Sequence, residues 1–160
     1  MIDIDKMKFT DNLELLPIKQ DGEKYYVNYY GSISAGFPSP ADDFVKTQIS
    51  IDEKYLSKPH STFVLVVGGL SLFPVYEIGD IVIIRSDYSL LDGDDVAISI
   101  NGSEFTLKRY SKKTNTFVSL NKAFPDITVN EETDTIAILG IADAFLRDTG
   151  RKRRMKKFKI

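Results

Sequence analysis

The sequence predicts a mainly β domain, on three observations. From Thr62 onward, short runs rich in β-branched and aromatic residues recur at close intervals. Turn signals separate them, and no apolar stretch keeps a helical period long enough to compete. The runs are residues 62–68 (TFVLVVG), 80–85 (DIVIIR), 95–100 (DVAISI), 104–110 (EFTLKRY), 116–120 (TFVSL) and 135–142 (TIAILGIA). The punctuation falls at Gly79-Asp80, at Asp92-Gly93-Asp94 and at Asn101-Gly102, the last a strong hairpin signal. With 160 residues, 42% of them hydrophobic, the chain can bury one core, so one domain with appendages is expected.

Ahead of the β-rich part the pattern differs. Residues 1–30 mix small apolar groups (Leu13, Leu15, Leu16; Tyr25, Tyr26, Val27) with charges and lack the periodicity of a helix-turn-helix head, so they read as an arm. Residues 31–43 (GSISAGFPSPADD) combine Gly31, Gly36, Pro38 and Pro40 with small side chains, the composition of an exposed, bendable segment that a peptidase can grip. Residues 42–56 can place Phe44, Val45, Ile49 and Leu56 on one face, which predicts a short helix. The last ten residues, RKRRMKKFKI, hold seven basic side chains and no acidic one, leaving 14 basic against 23 acidic, a net −9, in residues 1–150. A solvated basic tail is the plain interpretation; a contact with nucleic acid or an acidic partner is the alternative, and direct DNA binding by the tail stays open.

Composition excludes several chemistries. The absence of cysteine removes disulfides, thiolate nucleophiles and cysteine-bearing zinc sites. His60, the one histidine, lies in a Lys-Pro-His-Ser loop with nothing around it to suggest a desolvated base, and a His-rich metal site is impossible. No cofactor is expected. No run approaches the roughly 18 apolar residues of a membrane span, and the N-terminus lacks signal-peptide grammar, so a cytoplasmic protein is expected. Catalysis, if present, falls to Ser, Lys, Asp or Glu.

Two residues stand out. Ser71 follows Gly68-Gly69-Leu70 at the exit of an apolar strand, where a hydroxyl can be presented beside free backbone N–H groups, although glycine-flanked serines are also common in ordinary turns. Lys108 follows the Asn101-Gly102 turn, and it can act as a base only if desolvated, because a solvated ammonium has a pKa of about 10.4. A three-residue loop would set Val96 opposite Lys108, with Ile98 on the same face. A two-residue loop would instead set Asp95 opposite Lys108 and hold it charged. Residue chemistry alone leaves both registers open.

The segment 35–44, Ala-Gly-Phe-Pro-Ser-Pro-Ala-Asp-Asp-Phe, strongly resembles the cleavage region of UmuD-type members of the LexA/UmuD family of self-cleaving serine peptidases, where Cys-Gly or Ala-Gly precedes Phe-Pro-Ser-Pro-Ala. Pro59-His60-Ser61-Thr62-Phe63 is similar to the family's approach to the nucleophile strand, and Ser71 through Gly79-Asp80 to its Gly-Asp-Ser-Met to Gly-Asp block. Glu104-Phe105-Thr106-Leu107-Lys108-Arg109 resembles Glu-Phe-Thr-Val-Lys-Lys/Arg, whose first lysine is the base. Residues 120–127 and 138–141 resemble its closing strands. Three departures stand beside this: Gly-Leu-Ser-Leu replaces Gly-Asp/Glu-Ser-Met, the stretch from Ser71 to Asp80 is one residue shorter than in typical UmuD, and the basic tail has no counterpart.

The resemblance, which covers about residues 35–146, implies a LexA/UmuD C-terminal-like fold of several small twisted antiparallel sheets with a flexible N-terminal arm and one short helix. It divides the chain into an arm (1–35), a peptidase domain (36–146) and a basic tail (147–160). It implies Ser71 as nucleophile, Lys108 as base, the Val96–Lys108 register, and the Ala35–Gly36 bond as substrate. It further implies an SOS-response role in DNA damage: RecA filaments on single-stranded DNA stimulate autoproteolysis, and a homodimer of the product serves an error-prone, UmuC-like translesion DNA polymerase. The alternative is a non-cleaving UmuD-like or phage-repressor-like dimerisation module.

Overall fold

A computed structural model describes residues 13–16, 27–29, 47–130, 132–148 and 150. Among the described residues, ten strands and one short α-helix follow in order: β1 (Leu13–Leu16), β2 (Val27–Tyr29), β3 (Thr47–Ile49), α1 (Ile51–Tyr55), β4 (Thr62–Val67), β5 (Ile81–Arg85), β6 (Asp95–Ile100), β7 (Thr106–Ser111), β8 (Thr116–Val118), β9 (Ile127–Thr128) and β10 (Ile136–Leu146). The fold is mainly β, as the sequence indicates. Eight strands form one curled antiparallel sheet in the order β1-β4-β5-β10-β6-β7-β8-β9, and β2 and β3 pair as a separate ribbon.

All six β-rich runs become strands, because each alternates or fills with apolar residues that one or both faces can bury. Two features differ from the sequence expectation. The helix expected over residues 42–56 is confined to Ile51–Tyr55: Thr47–Ile49 is a strand, and Ser50, whose hydroxyl accepts from the Glu53 amide at 3.4 Å, caps the helix that follows. Residues 42–46 lie outside the described residues. The second difference is β1, within the segment read as an arm. It pairs with β4 from Leu13↔Val67 to Leu16↔Val64, and Leu13 is buried in the core.

The sheet wraps two apolar clusters. One gathers Leu13, Phe63, Leu65, Leu72, Tyr76, Val82, Leu107 and Leu139 among others; the second gathers Val96, Ile98, Phe117 and Val129. β10 crosses the centre, pairing with β5 and β6, and its register shifts between Ile138 and Gly140. Gly140 adopts φ +154, and a Cβ there would stand 2.5 Å from the Arg85 carbonyl oxygen, so only glycine lets the strands approach this closely.

The β6–β7 hairpin settles the open register. Val96 faces Lys108 and Ile98 faces Thr106, the three-residue-loop alternative. Asn101 (φ 53) and Gly102 (φ 70) make the left-handed turn. Asp95 consequently faces Arg109 and grips it through two hydrogen bonds of 2.8 and 2.9 Å, leaving Lys108 without that carboxylate.

Candidate active site

Ser71 is presented by the loop between β4 and β5, which is closed at its base. The Val67 amide donates to the Asp80 carbonyl (2.8 Å) and the Gly79 amide to the Val67 carbonyl (2.7 Å). Buried Asp80 accepts from the Glu77 amide and from the Arg147 guanidinium, at 2.8 and 2.6 Å to its two oxygens. The Arg147 hydrogen bonds hold the Asp80 carboxyl below the usual carboxylate range, against the effect of burial. Arg147 also bonds Glu77 and the Val75 carbonyl, so the residue placed at the start of the tail belongs structurally to this loop.

Within the loop, the side chain of Leu72 is 2% exposed and anchors the turn, with the Val75 and Tyr76 amides donating to its carbonyl. Leu70 faces solvent. Ser71, between them, is half-buried; its carbonyl accepts from the Asn121 amide (3.0 Å), and its hydroxyl donates to the Leu107 carbonyl (3.2 Å). It opens on a small apolar depression whose walls include Leu13, Val67, Tyr76 and Leu107. The departure Gly-Leu-Ser-Leu is therefore accommodated structurally: one leucine is an anchor and the other is solvent-facing.

Lys108 is 5% exposed. Adjacent strand residues point to opposite faces. Leu107 packs into the first apolar cluster, and Lys108 turns to the other face, opposite Val96. Its Nζ donates to the Ser119 hydroxyl and to the Pro125 carbonyl (3.3 Å). Burial pushes the amine below its ordinary value, opposed by the Asp126 charge. One oxygen of the Asp126 carboxylate, Oδ1, accepts from the Ser119 amide at 2.8 Å.

The two sequence-selected residues thus converge on one short stretch of β7, Ser71 on the Leu107 carbonyl and Lys108 as the next residue, without hydrogen-bonding each other. Ala35 and Gly36 lie outside the described residues, as does the basic segment 151–160. Sequence reasoning missed Ser119, the Pro125 carbonyl and Leu13. Ser119 sat in a run read as strand, where nothing marks a hydroxyl as facing a buried amine. Among the described residues, no helix is long and apolar enough to cross a membrane.

Residues 28–143 match the family described as Peptidase S24-like, a span containing both Ser71 and Lys108. The chain is 29% identical over 116 residues to the protein MucA of Salmonella typhimurium, covering 71% of this chain and 78% of MucA. It is 34% identical over 125 residues to the LexA repressor of Acidithiobacillus ferrooxidans, covering 75% of this chain but only 60% of that repressor. The protein ImpA of Salmonella typhimurium is 32% identical over 96 residues, 58% of this chain and 66% of ImpA. The chain belongs to the Peptidase S24-like family, as a UmuD-like member of it.

Proposed function

We propose that this chain is a self-cleaving serine peptidase in which Ser71 and Lys108 form the catalytic dyad and the Ala35–Gly36 bond is the substrate. The observation that carries the proposal is the Lys108 amine: buried, free of a described carboxylate partner, pushed down by burial, and one residue from the carbonyl that receives the Ser71 hydroxyl.

The reaction needs the Ser71 hydroxyl to leave the Leu107 carbonyl and approach the neutral Lys108 amine, and the Ala35–Gly36 bond to reach Ser71. Lys108 then takes the Ser71 proton as the oxygen attacks the Ala35 carbonyl carbon, and backbone N–H groups near Ser71 hold the oxyanion. The C–N bond breaks, the Gly36 nitrogen leaves with the proton carried by Lys108, and water hydrolyses the ester at Ala35 by the same route. Small residues at 35 and 36 let the strand enter a narrow cleft. Residues 1–35 form the arm lost on cleavage, and 36–146 the peptidase domain.

In this reading the protein acts in the cytoplasm in the SOS response: RecA filaments on single-stranded DNA promote cleavage, and a homodimer of residues 36–160 joins a UmuC-like DNA polymerase in translesion synthesis. The likeness to MucA and LexA supports it. Incubation with RecA, ATP and single-stranded DNA, followed by mass measurement, tests it. A cut after Ala35 that vanishes in Ser71→Ala is expected.

One observation favours a second reading. Ser71 and Lys108 are each satisfied by other partners, an arrangement equally suited to a dimerisation module that does not cut. An intact chain under the same incubation, with binding to a UmuC-like polymerase retained, selects that alternative.

A further inference from the structure

Ser119 lies on the loop after β8 and is fully buried, yet it is a polar residue at the end of an apolar strand. Its three hydrogen bonds explain its place there. The hydroxyl donates to the Pro125 carbonyl at 2.9 Å and accepts from Lys108 Nζ, and the backbone amide donates to Asp126 Oδ1 at 2.8 Å. The same Pro125 carbonyl takes a second bond from Lys108 Nζ at 3.3 Å. The segment also reaches the nucleophile, because the Asn121 amide, two residues on, donates to the Ser71 carbonyl.

A neutral amine has two N–H bonds and one lone pair in tetrahedral directions. Here two neutral acceptors, the Ser119 hydroxyl and the Pro125 carbonyl, match those two N–H bonds. We propose that Ser119 is the positioning residue of the lysine base: with the Pro125 carbonyl it fixes the rotation of the Lys108 amine, so that the nitrogen's third direction is left free to receive the Ser71 proton. Ser119 has a second effect through its amide. That amide donates to Asp126 Oδ1 and so fixes the turn that carries the Pro125 carbonyl.

This inference rests on the peptidase reading, and the test separates the two. The rate of self-cleavage of the full chain is followed against pH into the alkaline range, where Lys108 is neutral in every variant, so the plateau reports positioning and not protonation. Ser119→Ala is expected to lower the plateau by about ten- to a hundred-fold, the scale of a misplaced catalytic group. Ser119→Thr, which keeps the hydroxyl, is expected to restore most of it. Ser119→Val has the shape of the threonine variant without its hydroxyl and is expected to behave like Ser119→Ala, which keeps the test decisive if the alanine variant fails to fold. A wild-type chain that cuts with a plateau unchanged or raised in Ser119→Ala or Ser119→Val overturns the positioning role alone. A wild-type chain that stays whole at every pH overturns the peptidase reading, and the role of Ser119 with it.

Discussion

The hydroxyl of Ser71 donates to the carbonyl of Leu107, 3.2 Å away and immediately before Lys108 in β7. This bond ties the β4–β5 loop to the strand that carries the amine. In the proposed mechanism the Ser71 hydroxyl must give up this bond before Lys108 can take its proton.

Burial of Lys108 has a cost that shows in stability. The folded-state pKa lies below the unfolded value of about 10.4, so in the window between them the unfolded chain binds more protons. Stability contributed by this group therefore rises with pH across that window, and the penalty is fully present below it. Urea unfolding of Ser71→Ala and of Ser71→Ala/Lys108→Met, both unable to cut themselves, checks this. The double variant is expected to be as stable or more stable near neutrality, and its advantage is expected to shrink as pH rises.

Asp80 works with the opposite sign. Its carboxyl is held low by Arg147, so the stability it contributes is present above the unfolded pKa of about 3.9 and is lost as pH falls through the folded one. Arg147→Ala leaves a buried carboxylate without its main partner and is expected to lower the midpoint of urea unfolding at neutral pH. Acid unfolding monitored by circular dichroism should then begin at higher pH than in the wild type.

Gly140 permits the closest approach of β10 to β5. Gly140→Ala must either displace the Arg85 backbone or abandon φ +154, and a loss of about 2 kcal/mol or more is expected in urea unfolding.

Leu13 tests whether β1 belongs to the body. It is 6% exposed and stands at the wall of the Ser71 depression. Leu13→Ala is expected to cost about 2 kcal/mol, the low end for a core leucine because β1 is an edge strand. A change within a few tenths of a kcal/mol would mean that β1 does not hold its place in solution.

Much of this was legible in the sequence. The β-rich runs announced their strands because alternation and β-branching act locally, and Asn101-Gly102 marked the hairpin whose register frees Lys108 from Asp95. Other elements depend on distant chain. β1 is four residues long and acquires its strand character from the exposed edge of β4, which no local pattern reveals. The helix expected over 42–56 shrank because β-ribbon pairing claims residues 47–49. Ser119 faces Lys108 only because β8 folds back onto β7, a pairing that brings together residues 11 apart in sequence.

In the proposed mechanism one desolvated amine activates one hydroxyl against the chain's own backbone. Purified full-length protein held at alkaline pH without any partner, and weighed by mass spectrometry beside Ser71→Ala and Lys108→Ala, tests it most directly. Two fragments, residues 1–35 and 36–160, are expected to form faster as pH rises in the wild type and to be absent from both variants. Fragments that persist in Ser71→Ala, or a rate indifferent to pH, would contradict it.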